Sequence, residues 1–183
     1  MKVVKVSQRM GKGASKIFNQ QIATEAEERP YFKASKIFWS VAASFLGMGI
    51  VCFLAFEHKL PLLVTSFGSS AVLLYAACDS PMAQPKNVLG GHIISALAGV
   101  LVYHLCGAQW WSYALAVSLA IAGMELTSTM HAPGGATAFI AVYSEQKFSF
   151  IFTPVAIGAA VLILMALLLN NLDGHHRYPQ SWW

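Results

Sequence analysis

The sequence predicts an all-α, polytopic membrane helix bundle, and two observations predict it. Hydrophobic residues make up 56% of the chain and charged residues only 11%, whereas soluble domains carry about 25% charged residues. Several stretches are long and free of charge, and about 20 consecutive apolar residues suffice to cross the hydrocarbon core of a bilayer. Both observations favour membrane-spanning segments over a soluble core.

The basic N-terminal segment, residues 1–36, precedes the first apolar stretch. Eight of the twelve Lys and Arg residues lie there, and the positive-inside rule places such a flank on the cytoplasmic side. It has no long apolar core, so we expect no cleavable signal peptide, and residues 16–26 are expected to form an amphipathic helix on anionic lipid. A nucleic-acid-binding arm is the alternative, but no aromatic or motif pattern supports it. We therefore expect no nucleic-acid partner. We expect the protein to lie in the bacterial inner (plasma) membrane.

The apolar segments of the transmembrane domain, residues 37–170, follow the order long, short, long and then the same order again. They cover residues 37–56, 61–77, 88–106, 110–127, 133–143 and 150–169. This order predicts two repeats, 37–106 and 110–170, in which residues 67–71 correspond to 133–137, followed by a C-terminal tail at 171–183. If every segment crosses, the two three-segment repeats are inverted and the short broken helices meet at mid-membrane. Re-entrant short segments, with four crossings, are the alternative.

Both short segments contain glycine and hydroxyl residues, which indicate a binding site. Irregular backbone at membrane depth is tolerated only inside protein or against water. Pro133 suits the first helical position, and we expect unpaired amides at Gly134 and Gly135 to form an anion site at the positive helix end. Ordinary small-residue packing is the alternative. The predicted substrate-binding residues are Ser66, Gly68, Ser69, Ser70, His131, Pro133, Gly134, Gly135 and Thr137.

Ionisable and amide side chains near these breaks predict a pathway or gate. His131 stands just before Pro133 and is a candidate anion ligand, gate or proton carrier. His92 adjoins a stripe of small residues that predicts close helix packing, so we expect it to line a path. Glu125 ends an apolar helix, and an acid inside the membrane is a functional candidate, although it is also placed to reach the interface. Asn87 is expected to cap the helix that begins at residue 88.

Two stretches, SFGSSAVLLYAACDSPMAQPKNVLGGHIISALAG at 66–99 and HAPGGATA at 131–138, resemble the HPP family of small integral membrane proteins. The resemblance covers residues 35–172. The resemblance implies a small-anion carrier or channel with nitrite as the leading substrate. Members of the family are described as having about four transmembrane helices. The family's motif residues fall on His131, Pro133, Gly134 and Gly135, whereas Ala132 stands where the His-Pro-Pro motif has its first proline.

Two other functions remain open at this point. An intramembrane metalloenzyme would need His92, His131 and Glu125 as ligands of one metal ion. A membrane sensor or assembly protein would use the basic N-terminal segment and the Trp182-Trp183 tail. No complete catalytic motif is present in the sequence, so we expect no catalytic residue, metal or cofactor. The expected partners are a small anion, the lipid bilayer and further copies of the chain in a dimer or trimer, because lipid-exposed broken segments are disfavoured.

Overall fold

A computed structural model describes residues 34–59, 64–172 and 177–182. The amphipathic helix expected at residues 16–26, and nearly all of the basic N-terminal segment, lie outside the described residues. The part of the chain that is described forms helices and turns without a β-strand. The prediction of an all-α protein is therefore confirmed.

Each predicted apolar segment contains a helix. The six α-helices of the described residues are α1 Ala34–Phe56, α2 Ser66–Ala76, α3 Pro85–Cys106, α4 Trp110–Leu126, α5 Pro133–Tyr143 and α6 Ile157–Leu169. A 3₁₀ turn, Pro81–Ala83, precedes α3, and a π-helical turn, Ile151–Ala156, leads into α6. That turn contains Pro154, which has no N–H to donate to a regular α-helix.

Helix length separates the long segments from the short ones. Among the described residues, Ala34–Phe56, Pro85–Cys106 and Ile151–Leu169 are long and apolar enough to cross a membrane. Helices α2 and α5 have 11 residues each, which gives about 16 Å of helix against about 30 Å of hydrocarbon. As helices alone they reach about half of that thickness. The number of crossings and the inverted relation of the two repeats therefore stay predictions.

Helix α3 is the centre of the bundle and packs against α4, α5 and α6. Its stripe of small residues, Gly91, Ser95 and Gly99, is buried, which confirms the predicted packing face. A Cβ atom on Gly99 would stand 2.5 Å from the carbonyl oxygen of Ala138 on α5. Such a distance is far below an ordinary contact, so only glycine allows α3 and α5 to lie this close together.

Helix α1 is attached to the bundle along one narrow face. Its buried residues are Ala43, Gly47 and Val51, which recur every four positions and share one side of the helix. The ring of Tyr75 on α2 lies against Gly47. Most of the remaining surface is apolar and exposed, with Phe45 at 77%, as expected for a helix whose outer face contacts lipid.

The C-terminal tail packs back onto the turn that precedes α3. The hydroxyl of Tyr178 donates to the carbonyl of Ala83 at 2.8 Å, and burial raises the pKa of Tyr178, so the hydroxyl keeps its proton. The backbone amide of Gln180 donates to the side-chain oxygen of Gln84 at 2.8 Å. The side-chain nitrogen of Gln84 in turn donates to the carbonyl of Cys78 at 2.9 Å. These contacts fix the turn that supplies one end of the site described next.

Candidate functional site

The two short helices meet through their hydroxyl side chains. Ser66 is the first residue of α2, and its Oγ atom lies 2.8 Å from Oγ1 of Thr137 on α5. Both residues are at most 1% exposed. The prediction that the short segments come together is therefore confirmed, and their junction is polar.

Two histidines extend this junction into a continuous hydrogen-bonded network. His92 on α3 places Nδ1 2.8 Å from Thr137 Oγ1 and Nε2 2.8 Å from Ser70 Oγ. Ser70 Oγ also lies 2.9 Å from Nε2 of His131, whose Nδ1 is 2.8 Å from the carbonyl oxygen of Met82. We call the five side chains together the polar cluster: Ser66, Ser70, His92, His131 and Thr137.

Local sequence explains how the side chains of the polar cluster converge. Ser66 and Ser70 are four residues apart on α2, so both hydroxyls project from one face of that helix. His131 lies in the loop that leads into α5. It approaches α3 closely because Gly91 has no side chain: a Cβ atom there would stand 2.5 Å from the Cβ of His131. The break in the sequence thus brings an imidazole against the central helix.

The polar cluster is buried in apolar surroundings. All five side chains are at most 1% exposed, and Phe67 packs edge-on against His92, with ring centroids 5.4 Å apart. The two imidazole centroids are 4.7 Å apart. Buried polar groups are costly unless they are hydrogen-bonded, and among the described residues no buried side-chain nitrogen or oxygen lacks a partner. The network therefore offsets the cost of placing two histidines here.

The glycine amides do not form the expected anion site. The amide of Gly134 donates to the carbonyl of His131 at 2.9 Å, and that of Gly135 donates to the carbonyl of Ala132 at 3.2 Å. On α2, the amide of Gly68 donates to the carbonyl of Thr65 at 3.3 Å. The expectation of unpaired amides at these positions is wrong, because the first turn of each short helix tightens into bonds to the residue three positions earlier.

The remaining predicted binding residues lie around the cluster and do not join its network. Pro133 and Gly134 are buried in the first turn of α5, and Gly134 packs against Ser95 of α3. Gly135 is half-buried. Gly68 and Ser69 are exposed on α2, and Ser69 Oγ donates to the carbonyl of Ser66 at 2.8 Å.

Of the predicted pathway residues, only His92 lies in the cluster. Asn87 is the third residue of α3, so it is not the helix cap, which is Gln84. Its side-chain nitrogen instead donates to the carbonyl of Met130 at 2.9 Å, which ties the start of α3 to the residue before His131. Glu125 is exposed near the end of α4. Sequence reasoning missed the carbonyl of Met82, since a backbone acceptor leaves no signature in residue type.

A metal centre has no support in this geometry. Among the residues that the structure describes, no group of three His, Cys, Asp or Glu side chains could hold a metal ion. The metalloenzyme hypothesis needs Glu125 beside His92 and His131, and Glu125 is exposed whereas both histidines are completely buried.

Comparison with known proteins assigns the chain to a family. The family described as HPP, transmembrane region, matches residues 29–179. A transmembrane protein of Dictyostelium discoideum is 42% identical over 161 residues, which cover 81% of this chain and 51% of the relative. A second transmembrane protein of the same organism is 37% identical over 180 residues, covering 91% of this chain and 63% of the relative.

The chain thus spans between half and two thirds of the length of these curated relatives. No solved structure matches it. Since the family match extends over all of the described helices, the polar cluster and the start of the tail, the chain belongs to the HPP family of transmembrane proteins.

Proposed function

We propose that the protein is a membrane transporter or channel for a small inorganic anion, with nitrite as the leading substrate. One observation carries the proposal: the polar cluster, with two buried histidines, lies where the two short helices of an apolar helical protein meet. Ionisable residues within a membrane domain typically mark ion or substrate pathways, and short interrupted helices in matching positions typically form transporter sites.

The chemistry of the cluster suits a weakly held anion. Its donors are hydroxyl O–H and imidazole N–H groups, and neither Lys nor Arg is among its five residues. Conduction requires binding that is loose enough for release, and neutral donors meet this requirement. Because the donors are bonded to one another, an anion enters by replacing internal hydrogen bonds, for example the contact between Ser70 and His131.

The choice of nitrite rests on the resemblance of residues 131–138 to HPP proteins associated with nitrite transport. Nitrite is small, planar and monovalent, and its two oxygens accept hydrogen bonds from two donors at once. The pair formed by Ser70 and Thr137, on either side of the His92 ring, offers hydroxyl donors from both short helices.

Flux through reconstituted vesicles tests the function directly. Purified protein is placed in liposomes, and the entry of nitrite, nitrate, chloride and formate is measured against protein-free vesicles. We expect nitrite entry well above the protein-free rate, and entry reduced about tenfold when His131→Gln removes one imidazole from the cluster. If none of the four anions enters faster than it does into empty vesicles, the proposed function is wrong.

The setting of the protein is part of the same proposal. We propose that it is integral to the inner (plasma) membrane of a bacterium with its N-terminus in the cytoplasm, and that it assembles as a dimer or trimer. The exposed apolar face of α1 and the basic flank before it support a bilayer setting with this orientation. Labelling of an N-terminal tag in sealed, right-side-out vesicles tests the orientation, and native mass measurement tests the assembly.

A further inference from the structure

We infer that the polar cluster is a proton relay of defined direction, along which one proton travels from Ser66 to His131. The inference extends the proposed transport function, and the use of the relay in the cell rests on that function. It is carried by the order of the five hydrogen bonds from Ser66 to the carbonyl of Met82 and by the fact that one end of this series can only accept.

The direction of every bond follows from the carbonyl of Met82. A carbonyl oxygen accepts and never donates, so Nδ1 of His131, 2.8 Å away, carries a proton. In a neutral ring Nε2 of His131 is then an acceptor, and its partner Ser70 must donate to it. The hydroxyl of Ser70 has one hydrogen, so it accepts from Nε2 of His92.

The bonds between His92 and Ser66 have fixed directions as well. Since Nε2 of His92 carries the proton, its Nδ1 is an acceptor and receives the hydroxyl hydrogen of Thr137. Thr137 has then spent its single hydrogen and accepts from Ser66. The two histidines are therefore opposite tautomers: His131 is protonated at Nδ1, and His92 is protonated at Nε2.

Such a series moves one proton without moving any heavy atom far. When a hydronium ion gives a proton to Ser66 Oγ and leaves as water, the original hydrogen of Ser66 passes to Thr137. The hydrogen of Thr137 passes to His92 Nδ1, that of His92 Nε2 passes to Ser70, and that of Ser70 passes to His131 Nε2. Each group breaks one bond to hydrogen as it forms another, so the net change is one positive charge on His131.

Release and reset complete the cycle. Nδ1 of the buried His131 imidazolium faces the carbonyl of Met82, a residue that is 37% exposed. The proton leaves when water from this side replaces the carbonyl as the partner of Nδ1 and takes the proton as hydronium. At the entry end, Ser66 follows the exposed residue Thr65. After release, His131 holds its proton at Nε2 and His92 holds its proton at Nδ1, so reset requires the hydroxyls and the tautomers of both histidines to turn back. Ser70 has a third acceptor for this rotation, since the carbonyl of Ser66 lies 3.2 Å from its Oγ.

Other titratable side chains on the packed helices do not compete for these rings. All four ring nitrogens are bonded within the series just described. Tyr75 on α2 donates to the carbonyl of Leu162, and Tyr103 on α3 donates to Glu145. The further titratable residues of α3, α4 and α5 are Lys86, His104, Cys106, Tyr113, Glu125 and Tyr143, and none of them hydrogen-bonds to either ring in the described structure.

Nitrogen NMR of the protein in lipid nanodiscs, labelled with ¹⁵N-histidine, tests the direction without any transport assay. Above neutral pH we expect His131 as the Nδ1–H tautomer and His92 as the Nε2–H tautomer, with resonances assigned by single His→Gln variants. The reverse pair of tautomers, or two identical tautomers, overturns the inference.

Proton flux tests the relay itself. Vesicles holding a pH-sensitive dye are given a pH gradient with the membrane potential clamped. We expect wild-type protein to conduct protons, and Ser70→Ala and Thr137→Val each to lower the rate about tenfold, because each deletes one donor of the series. The matched control Ser69→Ala, on the exposed face of α2, should stay within about twofold.

The outcomes separate the relay from the proposed function. Absence of proton flux in the wild type, or unchanged flux in either Ser70→Ala or Thr137→Val, overturns the relay even if nitrite crosses. A second outcome is that both tautomers are as predicted and proton flux depends on Ser70 and Thr137, but no anion crosses. This outcome supports the relay and refutes anion transport.

Discussion

Substitution of Gly99 by alanine is the sharpest test of the packing that holds the polar cluster together. The added Cβ atom would stand 2.5 Å from the carbonyl oxygen of Ala138 and 2.7 Å from the Cβ of Ala141. Ordinary Cβ contacts lie at 3.4–4 Å, so α5 must retreat from α3 by roughly 1 Å. Thr137, next to Ala138, would then lose its 2.8 Å contact with His92.

The expected cost combines three contributions. Overpacking costs about 1–3 kcal/mol, and the upper end applies because the obstacle is a backbone carbonyl on a helix. The broken bond between Thr137 and His92 adds about 1 kcal/mol, while the better helix propensity of alanine recovers about 1 kcal/mol. The net loss of about 3 kcal/mol corresponds to a fall in Tm of roughly 6–12 °C for a chain of this size.

Thermal unfolding of purified protein in detergent, followed by tryptophan fluorescence, measures this loss. The matched control is Gly68→Ala, since a Cβ on Gly68 meets nothing within 4 Å. Its Tm should be unchanged or slightly higher, because alanine favours the helix. A Gly99→Ala variant that melts at or above the Gly68→Ala temperature would refute the close contact of α3 and α5, and with it the placement of Thr137.

Two further predictions concern the contacts that hold the tail and the last helix. Gln84→Ala removes the side-chain oxygen that accepts from two tail amides, at 2.8 and 3.3 Å. Trypsin should then cleave after the exposed Arg177 about tenfold faster than in wild type. An unchanged cleavage rate would contradict this attachment of the tail. The side chain of Asn170 donates to the carbonyl of Leu74 at 2.8 Å in a buried position, and Asn170→Ala removes this donor. The free energy of unfolding should fall by about 1–3 kcal/mol. A Tm equal to that of wild type would show that the bond contributes nothing.

The helices could be predicted from the sequence where composition marks both ends of a segment. The predicted segment 133–143 coincides with α5, because Pro133 defines the start and polar residues follow Tyr143. In the described part of the segment predicted at 61–77, which begins at Val64, the helix covers Ser66–Ala76. Val64 and Thr65 belong to the predicted segment but precede the helix, because apolarity alone does not mark the residue at which a helix begins.

The side chains of the site could be predicted from the sequence, but the hydrogen bonds between them could not. The histidine and hydroxyl residues of the cluster stand out in an apolar sequence, because placing them there is costly without a purpose. The glycine amides were wrongly expected to be free, since residue type does not reveal that a first helical turn tightens. The role of the Met82 carbonyl depends on how the turn before α3 folds against the loop before α5, a tertiary contact that no local pattern encodes.

The most direct test of the account compares two histidines of the same helix. His92 belongs to the polar cluster, whereas His104, about three turns further along α3, is exposed and among the described residues hydrogen-bonds only to the carbonyl of Val100. Nitrite entry into vesicles is measured for His92→Gln and His104→Gln at equal protein density. We predict an entry rate about tenfold below wild type for His92→Gln and within about twofold of wild type for His104→Gln. Equal rates in the two variants would contradict the claim that the anion passes through the cluster.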